Sequence, residues 1–147
     1  MEETLHYLLM ANHLMFQKAL LTEIKDTGLT SGQPKVLDYL RNHDGAVQKE
    51  IAAMCNIEPA TLTSVLLGME NKNLIVRKML GGNRRSLYVY LTEQGKALAE
   101  RVTVEFSKIE VNAFSGFTDE EKEILIALLR KVNKNMNHEG DVTNDKS

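Results

Sequence analysis

The 147-residue chain has no tryptophan and one cysteine. A single cysteine excludes an intrachain disulfide framework, so a reducing cytoplasm is the expected setting. No run of 18 apolar residues occurs, and no membrane span is expected. The start, Met1-Glu2-Glu3-Thr4, carries no basic n-region, so no export signal is expected. GxSxG, GxxxxGK[ST] and GxGxxG are all missing, and nothing in the pattern points to an enzyme or to a cofactor. Internal repeats and low-complexity segments are missing too. What is present is ordinary for a folded domain: 43% hydrophobic and 26% charged residues. A chain this long can bury roughly 68–70% of its unfolded surface, enough to hold a core without staples.

One local absence is more telling. Residues 71–92 contain no acid but hold Lys72, Arg77, Lys78, Arg84 and Arg85, inside a chain whose net charge is −2. A mildly acidic protein with one purely basic segment has a local anion-binding site. The alternative is a solvated strand pair that happens to lack acids.

Periodicity gives the elements. Leu5, Leu8, Leu9, Asn12, Met15, Phe16, Ala19, Leu20 and Ile24 follow helical spacing, predicting a helix from Thr4 to about Lys25. Thr30-Ser31-Gly32-Gln33 reads as a capping box for a second helix, with Pro34 early in it and Val36, Leu37 and Leu40 buried. Ala46-Val47 is extended. Lys49–Cys55 forms a short helix, with Ile51, Ala52 and Cys55 inward. Asn56 can take the left-handed conformation that ends it. Pro59 opens the next helix, whose buried stripe is Leu62, Val65, Leu66 and Met69, and Asn73 can end it. Residues 74–80 and 85–91 alternate as strands around a Gly81-Gly82-Asn83 turn. Thr92 caps a helix with Ala97, Leu98, Val102, Phe106 and Ile109 on one stripe. A second capping box, Thr118 to Glu121, opens a helix to about Met136, with Ile124, Leu125, Leu128, Leu129 and Val132 inward. Residues 138–147 are expected to be a flexible tail.

The order is helix, helix, helix–turn–helix, β-hairpin, helix, helix. The expected class is mainly α with a small β-hairpin wing (α+β). Its single domain covers 1–137, with a winged helix–turn–helix at 30–92 and flanking dimerisation helices at 1–29 and 93–137. The second helix of such a pair fits the major groove, and hairpin arginines reach phosphates or the minor groove.

Specific motifs strengthen this reading. Leu29-Thr30-Ser31-Gly32-Gln33-Pro34-Lys35-Val36-Leu37 resembles the LTxxQxxVL opening of the multiple-antibiotic-resistance regulator (MarR) family. Residues Ile51 to Thr63 resemble its LAxxLxIxxxTVT helix–turn–helix. Lys72-Asn73-Leu74-Ile75 resembles KGLI, and Asn83-Arg84-Arg85 followed by Leu91-Thr92-Glu93-Gln94-Gly95 resembles the wing DxR…LTxxG. The resemblance implies a homodimeric regulator on a pseudo-palindromic double-stranded DNA operator, often a repressor released by a small molecule.

The departures carry information. The stripe opposite the buried one is Ala60, Ser64, Leu67 and Asn71, flanked by Thr61, Thr63 and Gly68. The family usually has arginine where Ser64 stands. Without it, arginine–guanine readout is unavailable from this helix. Hydroxyl contacts from Thr61, Thr63 and Ser64 remain, as do contacts from Ala60 and Leu67 to thymine methyls. Alternatively, Leu67 faces a neighbouring helix and Gly68 permits close packing. Asn83 replaces the family's wing Asp, while Arg84 and Arg85 are the expected phosphate contacts. A competing reading is a winged-helix protein–protein module with weak or lost DNA binding, suggested by the uncharged stripe and Glu58. Five cations without an acid argue against it.

Cys55 takes a leucine position of the family on an inward stripe, so a core role is expected rather than redox sensing. His6 and His13 share a face of the first helix, but two ligands do not make a zinc site, and no metal is expected. A small aromatic acid, as the family often binds, is a candidate effector. Its expected lining is Met10, His13, Met15, Phe16, Pro34 and Leu37, with His13 pairing a carboxylate. A filled dimer core without a cavity is the alternative.

Overall fold

A computed structural model describes residues 3–80 and 86–144, with side chains to Asn137. The chain divides into two units, Met1–Ile109 and Glu110–Ser147. The first holds α1 (Leu5–Glu23), a 3-10 turn (Lys25–Thr27), α2 (Gln33–Asn42), β1 (Ala46–Val47), α3 (Gln48–Met54), α4 (Pro59–Asn71), β2 (Ile75–Lys78), β3 (Tyr88–Leu91) and most of α5 (Glu93–Ala113). The second holds the end of α5 and α6 (Asp119–Asn144). Among the described residues no single helix is long and apolar enough to cross a membrane.

The core of the first unit follows the expected stripes. Val36, Leu37 and Leu40 of α2, Ile51 of α3, and Leu62, Leu66 and Met69 of α4 are fully buried, with Val89 and Val102 beside them. Each such side chain contributes roughly 1.5–3 kcal/mol by leaving water. Cys55 is buried among them. Both asparagine terminators adopt positive φ: Asn56 at 52° after α3 and Asn73 at 60° after α4. The first turns the chain from α3 into α4 and sets those helices together, and the second turns α4 into β2.

The sheet is antiparallel in the order β1–β3–β2. Ala46 pairs with Val89, and Ile75 with Leu91. Both hairpin strands are shorter than the alternation suggested. The Gly81-Gly82-Asn83 turn lies outside the described residues. The Asp44 carboxylate accepts the Leu91 amide at 2.8 Å, tying the loop before β1 to the end of β3.

The two capping boxes differ. At Thr118 both halves form: its hydroxyl accepts the Glu121 amide (3.1 Å) and the Glu121 carboxylate accepts the Thr118 amide (3.0 Å). At Thr30 only the Gln33 side chain reaches back, accepting the Thr30 amide at 3.1 Å. The Gln33 amide goes instead to the Thr30 carbonyl. Gly32, at φ 88°, is the residue that precedes the helix, and its left-handed turn carries the Thr30 hydroxyl off the capping position.

Burial departs from the apolar stripes on three helices. On α1 only Leu20 is buried, with Ile24 just beyond it; Leu5, Leu8, Leu9 and Met15 are exposed. On α6 Ile124, Leu125, Leu128 and Leu129 are exposed, and the helix continues to Asn144 rather than ending near Met136. On α5 Ala97 faces out, and the inward set is Gly95, Ala99 and Val102 with Leu98, Phe106 and Ile109 partly covered. Periodicity marks an apolar face but not what covers it.

Polar ties hold α5 in the first unit. The Arg101 guanidinium donates to both Asp26 oxygens (2.6 and 2.7 Å) and to the Glu23 carbonyl. That hydrogen bonding holds the Asp26 carboxyl below the usual carboxylate range. Thr103 donates to Asp38 at 2.8 Å, and Arg41 pairs with Glu100 at 3.0 Å.

Candidate nucleic-acid interface

Helix α4 has two faces of opposite character. Leu62, Leu66 and Met69 anchor one in the core. On the other, Ala60, Thr63, Ser64, Leu67 and Asn71 are exposed, Leu67 by 51% of its surface. Leu67 therefore does not pack on a neighbouring helix. Gly68 does serve close packing: a Cβ there would lie 2.8 Å from the Gln33 side-chain nitrogen.

The threonines are not equivalent to the rest of that face. The Thr63 hydroxyl donates to the Pro59 carbonyl (3.1 Å) and accepts from Gln48 Nε2 (3.3 Å). Gln48 Oε1 is buried and has no hydrogen-bond partner among the described residues. Thr61 is exposed but turns toward a cleft on the other side of the helix.

The basic segment resolves into different roles. Lys72 points back into the protein, its ammonium donating to the Gly28 carbonyl and to Gln33 Oε1, both at 2.7 Å. Gln33 is itself buried, so this cation braces the end of α4 against the start of α2. Arg77 forms an ion pair with Glu70 and is largely covered. Lys78 is exposed, with its ammonium 5.3 Å from the centre of the Tyr90 ring. Arg84 and Arg85 lie outside the described residues. Counting charge in the sequence therefore overstated the free cations, because two of the five are spent inside the fold.

A cleft of about 450 Å3 opens beside α4. Of the six expected lining residues it gathers His13, Phe16 and Pro34. It does not include Met10 and Met15, which are exposed, or Leu37, which is fully buried in the core. Sequence reasoning missed Lys35, Thr61, Val65 and Phe106 on its wall. Val65, expected on the buried stripe of α4, is only half-buried because it forms part of this wall. The Gly32 turn also contributes, with a Cβ there only 3.1 Å from a Val65 methyl.

Cys55 sits below this surface, its thiol 3.7 Å from the Lys35 carbonyl. Burial pushes that thiol up, away from the thiolate. Among the described residues no group of three histidine, cysteine or acidic side chains could hold a metal ion.

Known proteins share this arrangement. Residues 29–87 match the model of the MarR family. The helix-turn-helix-type transcriptional regulator YybA of Bacillus subtilis is 32% identical over 114 residues, 78% of this chain and 76% of that protein. PecS of Dickeya dadantii, another such regulator, is 40% identical over 80 residues, covering 54% of this chain and 48% of that protein. Among solved structures, the S. aureus MepR–DNA complex superposes with a TM-score of 0.82 at 31% identity, covering 92% of this chain and 99% of that one. CouR, a transcriptional repressor bound to a 23-mer DNA duplex, gives 0.78 at 25% identity, over 88% of this chain and 92% of that one. The match over the helix–turn–helix and the likeness that extends to the terminal helices lead to one conclusion: the chain belongs to the MarR family of transcriptional regulators.

Proposed function

We propose that this chain acts as a homodimeric repressor on a pseudo-palindromic DNA operator. The observation that carries the reading is the exposed stripe of α4, set on a helix whose opposite face is locked into the core. Ala60, Thr63, Ser64, Leu67 and Asn71 are the groove-facing candidates, with Thr61 turned to the cleft instead, and Arg84 and Arg85 are the phosphate contacts. The likeness to MepR and CouR in their DNA complexes supports it. The exposed apolar faces of α1 and of α6 are each suited to cover by a second copy. Two recognition helices must sit about 34 Å apart to enter successive major grooves.

The cleft fits a small acidic effector. Phe16, Pro34, Val65 and Phe106 offer apolar wall, while Lys35 and His13 can meet a carboxylate. Because Thr61 and Val65 belong to α4, an occupant touches the recognition helix itself. It releases DNA only by preferring the non-binding arrangement of the dimer.

A gel-shift titration with the promoter of this chain's own gene tests the reading. Arg85→Ala should weaken all DNA sites alike and flatten the salt slope by about 0.9 per arginine per subunit. An unchanged slope contradicts the wing assignment, and no shift at any salt contradicts the DNA reading. A phenolic acid that binds equally with and without operator contradicts the effector reading.

A further inference from the structure

We infer that Leu67 determines sequence choice, and that its ligand is the C5-methyl group of a thymine in the major groove of each half-site. This rests on the DNA-binding reading and deepens it. Several polar side chains on α4 and its flanks are already committed within the fold. The commonest specific contact, a cation on guanine, needs a free guanidinium or ammonium at the groove. Lys72, which ends α4, is turned inward onto Gly28 and Gln33. Arg77, which follows on β2, is held by Glu70. An amide on adenine is likewise unavailable from Gln48, whose nitrogen is committed to Thr63 and whose oxygen is buried. Thr63 is held by that bond and its own to Pro59, and Thr61 lines the cleft.

Ala60, Ser64, Leu67 and Asn71 remain, at spacings of four, three and four along one face. They span about 16 Å of helix. Leu67 is the large apolar member, half exposed in the middle of the row. Its isobutyl group has no hydrogen-bonding use at a base edge. The thymine methyl is the apolar group that a base pair presents in the major groove. Asn71, one turn further along the same face, is placed to take an adenine edge, so the row as a whole suits A·T pairs.

The test uses the full-length protein and synthetic duplexes spanning the footprint on its own promoter. Each thymine is replaced in turn by deoxyuridine, which removes only the methyl. The duplexes contain no 5-methylcytosine, so thymine is the sole source of that group. Loss of one buried methyl should weaken binding about fourfold, and loss in both half-sites about 15-fold. At the thymine that Leu67 covers, Leu67→Ala should lose most of the discrimination between duplexes with and without the methyl, and Leu67→Met should restore it. Helical content of the variants, by circular dichroism, should match the parent because Leu67 is exposed. If no deoxyuridine duplex binds more weakly, or if Leu67→Ala keeps the same thymine preference, the inference is overturned while the DNA reading stands. Failure of the parent protein to bind the thymine duplex overturns both.

Discussion

Leu66 on α4 and Leu128 on α6 belong to equally regular apolar stripes, yet one is fully buried and the other 55% exposed. The difference is not in the helices. Around Leu66, α2, α3 and the sheet close within one short stretch of chain, and two left-handed asparagines bring the neighbours round. Leu128 lies on a long helix in the second unit, with Ile124, Leu125 and Leu129 also exposed. Four neighbouring exposed aliphatic side chains make this face a candidate interaction surface. The contrast separates an apolar face completed by its own chain from one that the single chain leaves open.

Substitutions on the two faces should break in different ways. Leu66→Ala leaves a cavity in a closed core and should cost about 2–5 kcal/mol of folding stability. Urea unfolding followed by circular dichroism measures it, and the loss should not vary with protein concentration. Leu128→Glu should leave the core intact and weaken self-association at least about tenfold, since burying a leucine is worth roughly 1.5–3 kcal/mol. Sedimentation across a concentration series reads this, and any loss in thermal midpoint should shrink as protein is concentrated. A Leu128→Glu protein with unaltered self-association removes α6 from the dimer surface. A concentration-independent monomer for the parent protein removes the dimer itself.

The sequence was most readable where physics is local. Alternating and helical periods, the positions of Asn56 and Asn73, Pro59 at the start of α4 and the Thr118 cap all depend on a few adjacent residues, and all are found. It was least readable where a partner comes from elsewhere in the chain. Nothing near Lys72 says that its ammonium meets Gly28 and Gln33, about forty residues earlier. Arg77 meets Glu70 only seven residues back, but across the turn from α4 into β2, which no single period reveals. The same limit explains the cleft: His13, Phe16 and Pro34 were legible as a mixed apolar and titratable face, but the contribution of α4 depends on how Gly32 turns the chain against Val65. The hydroxyl half of the cap at Thr30 is lost to that same turn.

Cys55 gives the smallest contrast, between a buried thiol and the same thiol in the unfolded chain. Its ordinary value is 9.0, and burial raises it further in the native state. The native protein therefore keeps its proton at a pH where the unfolded chain has released it. That preference favours folding fully below about pH 9, and it is lost as pH rises through the native value. At neutral pH the native thiolate should be scarce, and only opening of the core should expose it. Iodoacetamide at pH 7.5 should label the folded protein at least about tenfold more slowly than the urea-unfolded chain. Above pH 9 the unfolding free energy should begin to fall, and Cys55→Val should lessen that fall. Peroxide should leave DNA affinity unchanged. Rapid labelling of a protein that keeps its helical signal, together with peroxide-dependent release from DNA, would make Cys55 a sensor and not a core residue.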